Sequence, residues 1–235
     1  MKYMVDLDGV LAEFNRSFAA QLGVPTIPLD DKSWPTKWDW PEDYASPEQL
    51  AEVWNTVRAS KHFWEDLPAF PWTGAALELL HAEALDGEEV YFVTSREGVD
   101  IKRQTERWLS KYGFPEATVL VSTQGDKAGI AHDLDADVMI DDRPEVLTKI
   151  REWGKDTLRI YLQVHPYNST FAIRAAEDYR ILPVESPVTA IRSEYARREI
   201  YQHDCDVCNG AGTIASVGSC PACHGTGKSK LNGNA

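Results

Sequence analysis

Two short stretches, Val5-Asp6-Leu7-Asp8-Gly9-Val10 and Val138-Met139-Ile140-Asp141-Asp142-Arg143, each end an apolar run in two closely spaced carboxylates. Acids gathered at one sheet edge repel at neutral pH unless a hard divalent cation lies among them, and Mg2+ favours carboxylate and carbonyl oxygen. A carboxylate at a strand end can attack phosphorus and form an aspartyl-phosphate. A second acid two residues on points the same way if the chain stays extended, where it can protonate a leaving oxygen and later activate water. Gly9 permits a tight backbone turn beneath a phosphate. The chemistry expected of these residues is phosphoryl transfer, with Asp6, Asp8, Asp141 and Asp142 around Mg2+.

Two further stretches add to this set. Val93-Thr94-Ser95-Arg96 ends a second apolar run, and its hydroxyls and backbone N–H groups could hold phosphate oxygens without adding charge. Taken alone, it is equally a strand-to-helix cap. Lys127, in Gly125-Asp126-Lys127-Ala128-Gly129, stands near an expected helix start, where it could neutralise phosphate and nucleophile. A single lysine is more often solvated, so its case rests on the other motifs. One of Asp141 and Asp142 could also cap a helix.

Strand-like segments at Lys2–Asp6, Glu89–Thr94, Thr118–Ser122, Asp137–Ile140 and Thr157–Leu162 must position these groups. Helix-like segments alternate with them, at Gly74–Glu83, Ile101–Tyr112 and Glu145–Trp153, each with apolar residues at helical spacing. Nearly all-apolar strands alternating with helices predict an α/β fold, a Rossmann-like parallel sheet covered on both faces. Ligands of such sheets bind outside the carboxyl ends of the strands, where Asp6, Thr94 and Asp141 stand. Residues 14–72 interrupt the alternation and carry six tryptophans, Trp34, Trp38, Trp40, Trp54, Trp64 and Trp72. They predict a small helical cap inserted after the first strand, with most tryptophans in its own core and one or two facing the site. The expected organisation is a core of residues 1–13 and 73–187, a cap of 14–72, and a C-terminal segment of 188–235. In that last segment, Val188–Tyr201 reads as a charged helix.

With 235 residues, the chain can hold one ample core plus an appendage. A net charge of −13 argues against attraction of the whole chain to polynucleotide or anionic membrane. No apolar run is long enough to span a bilayer, and the start is too soon acidic for a signal peptide, so a cytoplasmic location is expected. All four cysteines, Cys205, Cys208, Cys220 and Cys223, fall in two copies of CxxCxGxG. Each CxxC can offer two thiolates to a tetrahedral Zn2+, so two copies predict one closed, structural zinc site on a C-terminal hairpin. His203 and His224 are bystanders in this reading.

The order Asp6-Leu7-Asp8-Gly9-Val10, Thr94-Ser95, Lys127, Asp141-Asp142 resembles the four motifs of the haloacid dehalogenase-like phosphatase superfamily. The resemblance covers roughly residues 1–165. It implies Asp6 as nucleophile, Asp8 as acid/base, Thr94 or Ser95 and Arg96 on phosphate, and Lys127 as charge stabiliser. It also implies Mg2+ on Asp6, the Asp8 carbonyl and one of the Asp141/Asp142 pair.

A narrower resemblance is to the 5′(3′)-deoxyribonucleotidases, through Asp6–Phe14, Phe63–Pro68 with Gly74–Leu80, Val93–Ser95 and Gln104–Tyr112. It implies a nucleobase pocket walled by Phe14, Phe63 and Trp64, and a nucleoside monophosphate as substrate. Arg96 stands where the animal enzymes carry proline. The cysteine repeat resembles the zinc-binding region of J-domain co-chaperones, without a J-domain pattern. Basic residues flanking it, among them Arg197, Arg198 and Lys228, suit contact with nucleic acid or protein. Two other readings stay open: a phosphatase of polynucleotide ends or a small metabolite, and a zinc-anchored interaction module on an inactive scaffold.

Overall fold

The computed structural model describes residues 1–24, 34–123, 126–200 and four two-residue strands at 203–204, 213–214, 218–219 and 228–229. Six strands, β1 (Lys2–Val5), β2 (Glu89–Thr94), β3 (Thr118–Val121), β4 (Val138–Asp141), β5 (Arg159–Gln163) and β6 (Ile181–Val184), form one parallel sheet. Its order is β3-β2-β1-β4-β5-β6. The central strands read as unbroken apolar runs because both faces are covered: Tyr3, Met4, Val5, Val138, Met139 and Ile140 are all fully buried.

Each crossover is helical. Helices α3 (Thr73–Leu85), α4 (Ile101–Lys111), α5 (Lys127–Asp133), α6 (Pro144–Trp153) and α7 (Ser169–Tyr179) follow in turn between strands. In α4, Ile101, Thr105, Trp108 and Leu109 are the buried face, as their spacing predicts. Pro144 opens α6 at a position where its missing N–H costs nothing. The direction of winding reverses between β1 and β4, so the crevice at their carboxyl ends is where this topology opens a binding site.

Residues 14–72 contribute α1 (Phe14–Gln21), a short 3-10 turn (Trp40–Asp43) and α2 (Pro47–Ala59). A capping box starts α2: Ser46 Oγ accepts from the Gln49 N–H, and Gln49 Oε1 accepts from the Ser46 N–H. The expectation that most tryptophans form the cap's own core is corrected. Only Trp40 and Trp64 are buried, and Trp38 is 52% exposed. An indole N–H needs an acceptor: Trp40 finds one inside residues 14–72, Asn15 Oδ1 at 3.0 Å, whereas two other rings reach outside them. Trp72 donates to the Val10 carbonyl at 2.8 Å and Trp64 to the Glu97 carbonyl at 3.1 Å.

After Leu162 the sequence pattern weakens, yet α7 and β6 complete the sheet. Ala175 of α7 and Ile181 of β6 are fully buried, and Phe171 and Ala172 pack beside them. Alanines bury little area each, so the helix announces itself poorly in hydropathy.

The chain divides into two compact units, Met1–Thr189 and Ala190–Ala235. Helix α8 (Pro187–Ile200) carries the chain into the second. There β7 (His203–Asp204) pairs antiparallel with β10 (Lys228–Ser229), and β8 (Thr213–Ile214) with β9 (Gly218–Ser219). Cys205, Cys208, Cys220 and Cys223, and with them the zinc expectation, lie outside the described residues.

Candidate active site

The loop after β1 is wound tightly around one acceptor. The Leu7 carbonyl takes hydrogen bonds from the N–H groups of Val10, Leu11 and Ala12 at 3.2, 2.8 and 2.7 Å. Such a turn needs a left-handed residue, and Gly9 supplies it at φ +86°. An ideal Cβ on Gly9 would lie 2.1 Å from Asp142 Oδ2, so the two acid-bearing loops approach as closely as glycine allows. The Asp6 N–H donates to the Ile140 carbonyl at 2.9 Å, which ties the first acid to the strand bearing the others.

Lys127 begins α5, behind an Asp126 side chain that accepts from the Gly129 N–H. Its ammonium lies 2.7 Å from Asp6 Oδ1 and 2.7 Å from Asp141 Oδ2. Lys127, Asp6, Asp141 and Asp142 are all at most 4% exposed. One buried ammonium therefore faces three buried carboxylates. Burial, opposed by Lys127 and reinforced by Asp141 and Asp8, pushes the Asp6 carboxyl up to about 7. Burial and the charges of Asp141 and Asp6 raise Asp142 well above the carboxylate range. For Lys127, burial alone would lower the value, but Asp141 and Asp6 outweigh it and hold the ammonium charged.

A divalent cation fits this deficit of positive charge. Among the described residues, Asp6, Asp141 and Asp142 form one group whose ligand oxygens lie within 4.8 Å of one another. Both Asp141 oxygens are engaged, Oδ2 by Lys127 and Oδ1 by the Arg143 N–H at 2.9 Å. Asp142 Oδ2 accepts from the Tyr167 hydroxyl, whereas its Oδ1 is buried without a partner. A buried carboxylate oxygen in that state is costly. The all-oxygen donor set suits a hard cation.

The remaining sequence-predicted groups separate on inspection. Thr94 is fully buried and its Oγ1 accepts from the Arg96 N–H at 3.2 Å, so it shapes the loop. Ser95 lines the cavity that also exposes Asp6, Asp8 and Lys127, and its Oγ is buried without a partner. Arg96 departs from the simple role of a waiting phosphate ligand. Its guanidinium is bound to Asp8, with Nε 2.9 Å from Oδ2 and Nη2 2.8 Å from Oδ1. Behind it, Nη1 donates to Thr105 Oγ1 at 3.0 Å and the plane lies over the Trp64 ring at 5.1 Å. The Arg96 side chain is fully buried, so Asp8 is held by a rigid fork.

The cavity encloses about 200 Å3 and its far wall is aromatic. Phe14 lies nearly parallel to both Trp64 (5.7 Å, 16°) and Trp54 (5.7 Å, 19°). Gln104 fixes Trp64 by accepting from its backbone N–H at 3.0 Å. Phe63 is not in the lining. It meets Trp64 and Phe14 edge-on, at 5.0 and 6.2 Å. Trp54, Trp38, Arg58 and Arg143 do line it and were not singled out from the sequence as site residues. The density of tryptophan in residues 14–72 was the available signal.

Comparisons with known proteins agree with this picture. A family model described as "5′ nucleotidase, deoxy (pyrimidine), cytosolic type C protein" matches residues 1–180. The human mitochondrial 5′(3′)-deoxyribonucleotidase is 26% identical over 155 residues, 62% of this chain and 64% of that relative, so the match spans less than two thirds of its length. Among solved structures, a haloacid dehalogenase-like hydrolase from Burkholderia xenovorans LB400 is 14% identical, with TM-score 0.51, covering 83% of this chain and 96% of that one. A protein assigned as a β-phosphoglucomutase from Thermotoga maritima is 17% identical, with TM-score 0.50, covering 83% and 98%. At such identities the likeness concerns the fold alone, the parallel α/β sheet described above.

Proposed function

Because the chain belongs to the family of deoxy (pyrimidine), cytosolic type C 5′ nucleotidases, we propose that it is a phosphoric monoester hydrolase acting on nucleoside monophosphates. Deoxyribonucleoside 5′-monophosphates are the first choice of substrate. The observation that carries this reading is the Lys127 bridge between Asp6 and Asp141, with Asp142 Oδ1 unpartnered beside it.

The Asp6 carboxylate attacks phosphorus and forms an aspartyl-phosphate. Lys127 and the Ser95 hydroxyl face the non-bridging oxygens. Asp8, which Arg96 fixes as a carboxylate, must first take up a proton; it then gives that proton to the leaving ribose oxygen as the ester P–O bond breaks, and takes one from the water that hydrolyses the intermediate. Mg2+ on Asp6, Asp142 and the Asp8 carbonyl, when bound, neutralises the carboxylates and screens the phosphoryl charge. Phe14, Trp64 and Trp54 offer flat apolar faces to a nucleobase, with Phe63 bracing the first two. The tail belongs to the same proposal as a structural Zn2+ site on Cys205, Cys208, Cys220 and Cys223. Its support is the register: one CxxCxGxG segment lies between Asp204 and Thr213 and the other between Ser219 and Lys228, and these flanking residues pair as Asp204↔Lys228 and Thr213↔Ser219.

The test is a panel of deoxyribo- and ribonucleoside monophosphates, 5′-phosphorylated oligonucleotides and sugar phosphates, assayed with Mg2+ and with EDTA. Phosphate release from nucleoside monophosphates, lost in EDTA, supports the proposal. Release from oligonucleotide ends or sugar phosphates alone overturns the substrate class, and release from none overturns the enzyme. A finer outcome concerns Arg96. Arg96→Lys keeps the charge but loses the fork, so kcat should fall about 10–100-fold with KM little changed. An unchanged kcat would show that the fork on Asp8 is idle.

A further inference from the structure

The turn that follows β5 belongs to none of the motifs that suggested phosphoryl chemistry. Its sequence is His165-Pro166-Tyr167-Asn168, and three of these side chains reach back to the acid-bearing loops. His165 Nε2–H donates to the Gly9 carbonyl at 2.5 Å. The Tyr167 hydroxyl donates to Asp142 Oδ2. Asn168 Nδ2 donates to the backbone carbonyls of Asp142 and Gln163 at 2.7 and 2.9 Å, and its Oδ1 accepts from the His165 N–H at 2.8 Å. Asn168 is 3% exposed, so these bonds are made away from water, where each is stronger and its loss costlier.

The rings are held in place as well. His165 stacks on Tyr167 at 5.0 Å and 16°, Phe70 lies 5.5 Å from His165, and Trp38 meets Tyr167 edge-on at 5.4 Å. The contacts bear on two loops at once, one through Gly9, the neighbour of Asp8, and the other through Asp142. These loops leave no room between them, as the Cβ that Gly9 lacks shows.

We propose that His165–Asn168 is a positioning element for the divalent cation: it fixes Gly9 and turns Asp142 so that Oδ1 faces Asp6. A carboxylate with one oxygen tied to a locked phenol has its other oxygen aimed, which spares the cation the entropy of orienting it. Tyr167 and His165 are positioning residues and touch no reacting atom. The inference rests on the reading that Asp6 and Asp142 hold a cation, and the experiment separates the two.

Mn2+ affinity is measured by isothermal titration calorimetry on the full chain, with Asp142→Asn marking the site. Tyr167→Phe keeps the ring stack and removes only the hydroxyl, and His165→Phe removes only the bond to Gly9. Each variant is expected to bind Mn2+ about 10–100-fold more weakly, with phosphate release recovered by raising Mn2+. A merely structural role would lower thermal stability and leave Mn2+ affinity unchanged. That result in either folded variant overturns the positioning role. A parent chain with no Mn2+ site sensitive to Asp142→Asn overturns the cation reading itself.

Discussion

Asp6→Asn is expected to lower phosphate release by about 1,000-fold or more, the scale set by removal of other enzymes' nucleophiles. The same change should make the metal-free protein more stable at neutral and alkaline pH. Burial and its acidic neighbours raise the folded-state value of Asp6 from 3.8 to about 7. The folded chain thus binds that proton more tightly than the unfolded chain. Stability from this group is fully present below pH 3.8 and is lost as pH rises towards 7. Asn carries no charge at any pH, and its neighbour Lys127 keeps Asp141 as partner. Thermal melts in EDTA from pH 4 to 8 should therefore show a steeper decline for the unsubstituted protein than for Asp6→Asn. Added Mg2+ should flatten that decline by binding the folded state. Parallel melting curves, or a variant that keeps a tenth of the turnover, would sink the assignment of Asp6.

Gly9→Ala carries the other large expected effect. At φ +86° an alanine is strained by about 1–2 kcal/mol. Its methyl would stand 2.1 Å from Asp142 Oδ2, the oxygen that the Tyr167 hydroxyl also holds. That carboxylate must move, and the cation site moves with it. We expect a stability loss of about 2–4 kcal/mol, with turnover reduced about 100-fold or more, as displacement of a reacting group costs. Gly87→Ala is the control. Gly87 has φ +89° but open space around its missing side chain. It should lose about 1 kcal/mol from the backbone alone and keep full turnover. Denaturant melts and kinetics on both variants decide the matter. Equal activity in the two would remove any special role for the contact between Gly9 and Asp142.

Much of the site was legible because it is local in the chain. In Val5–Val10 and Val138–Arg143 the strand and the acids it delivers are contiguous, so period, burial and chemistry are read from one short window. The parallel sheet followed from apolar strands alternating with helices, and the ends of β2, α4 and α6 fall within a residue or two of their expected positions. The cysteine repeat is equally local in the sequence, but Cys205, Cys208, Cys220 and Cys223 lie outside the described residues.

What escaped was decided between distant residues. Arg96 reads as a phosphate ligand when its neighbours are Thr94 and Ser95, but in the fold its nearest anion is Asp8, 88 positions away. The Phe63 ring reads as a pocket wall, yet it is outside the cavity lining and meets the rings of Trp64 and Phe14 edge-on. His165 and Gly9 are 156 residues apart, and nothing in either segment announces the other. Nor could the sequence show that both Asp141 oxygens are engaged while Asp142 Oδ1 has no partner, which is what favours Asp142 in the proposed cation site. Which acids exist at strand ends was thus set by the chain alone, since carboxylates and β pattern share the same few residues. Which of their oxygens remain free was decided largely by the tertiary structure: the Arg143 N–H that takes Asp141 Oδ1 is local, but Lys127 and Tyr167, which take Asp141 Oδ2 and Asp142 Oδ2, come from elements brought near only by the crossovers of a parallel sheet.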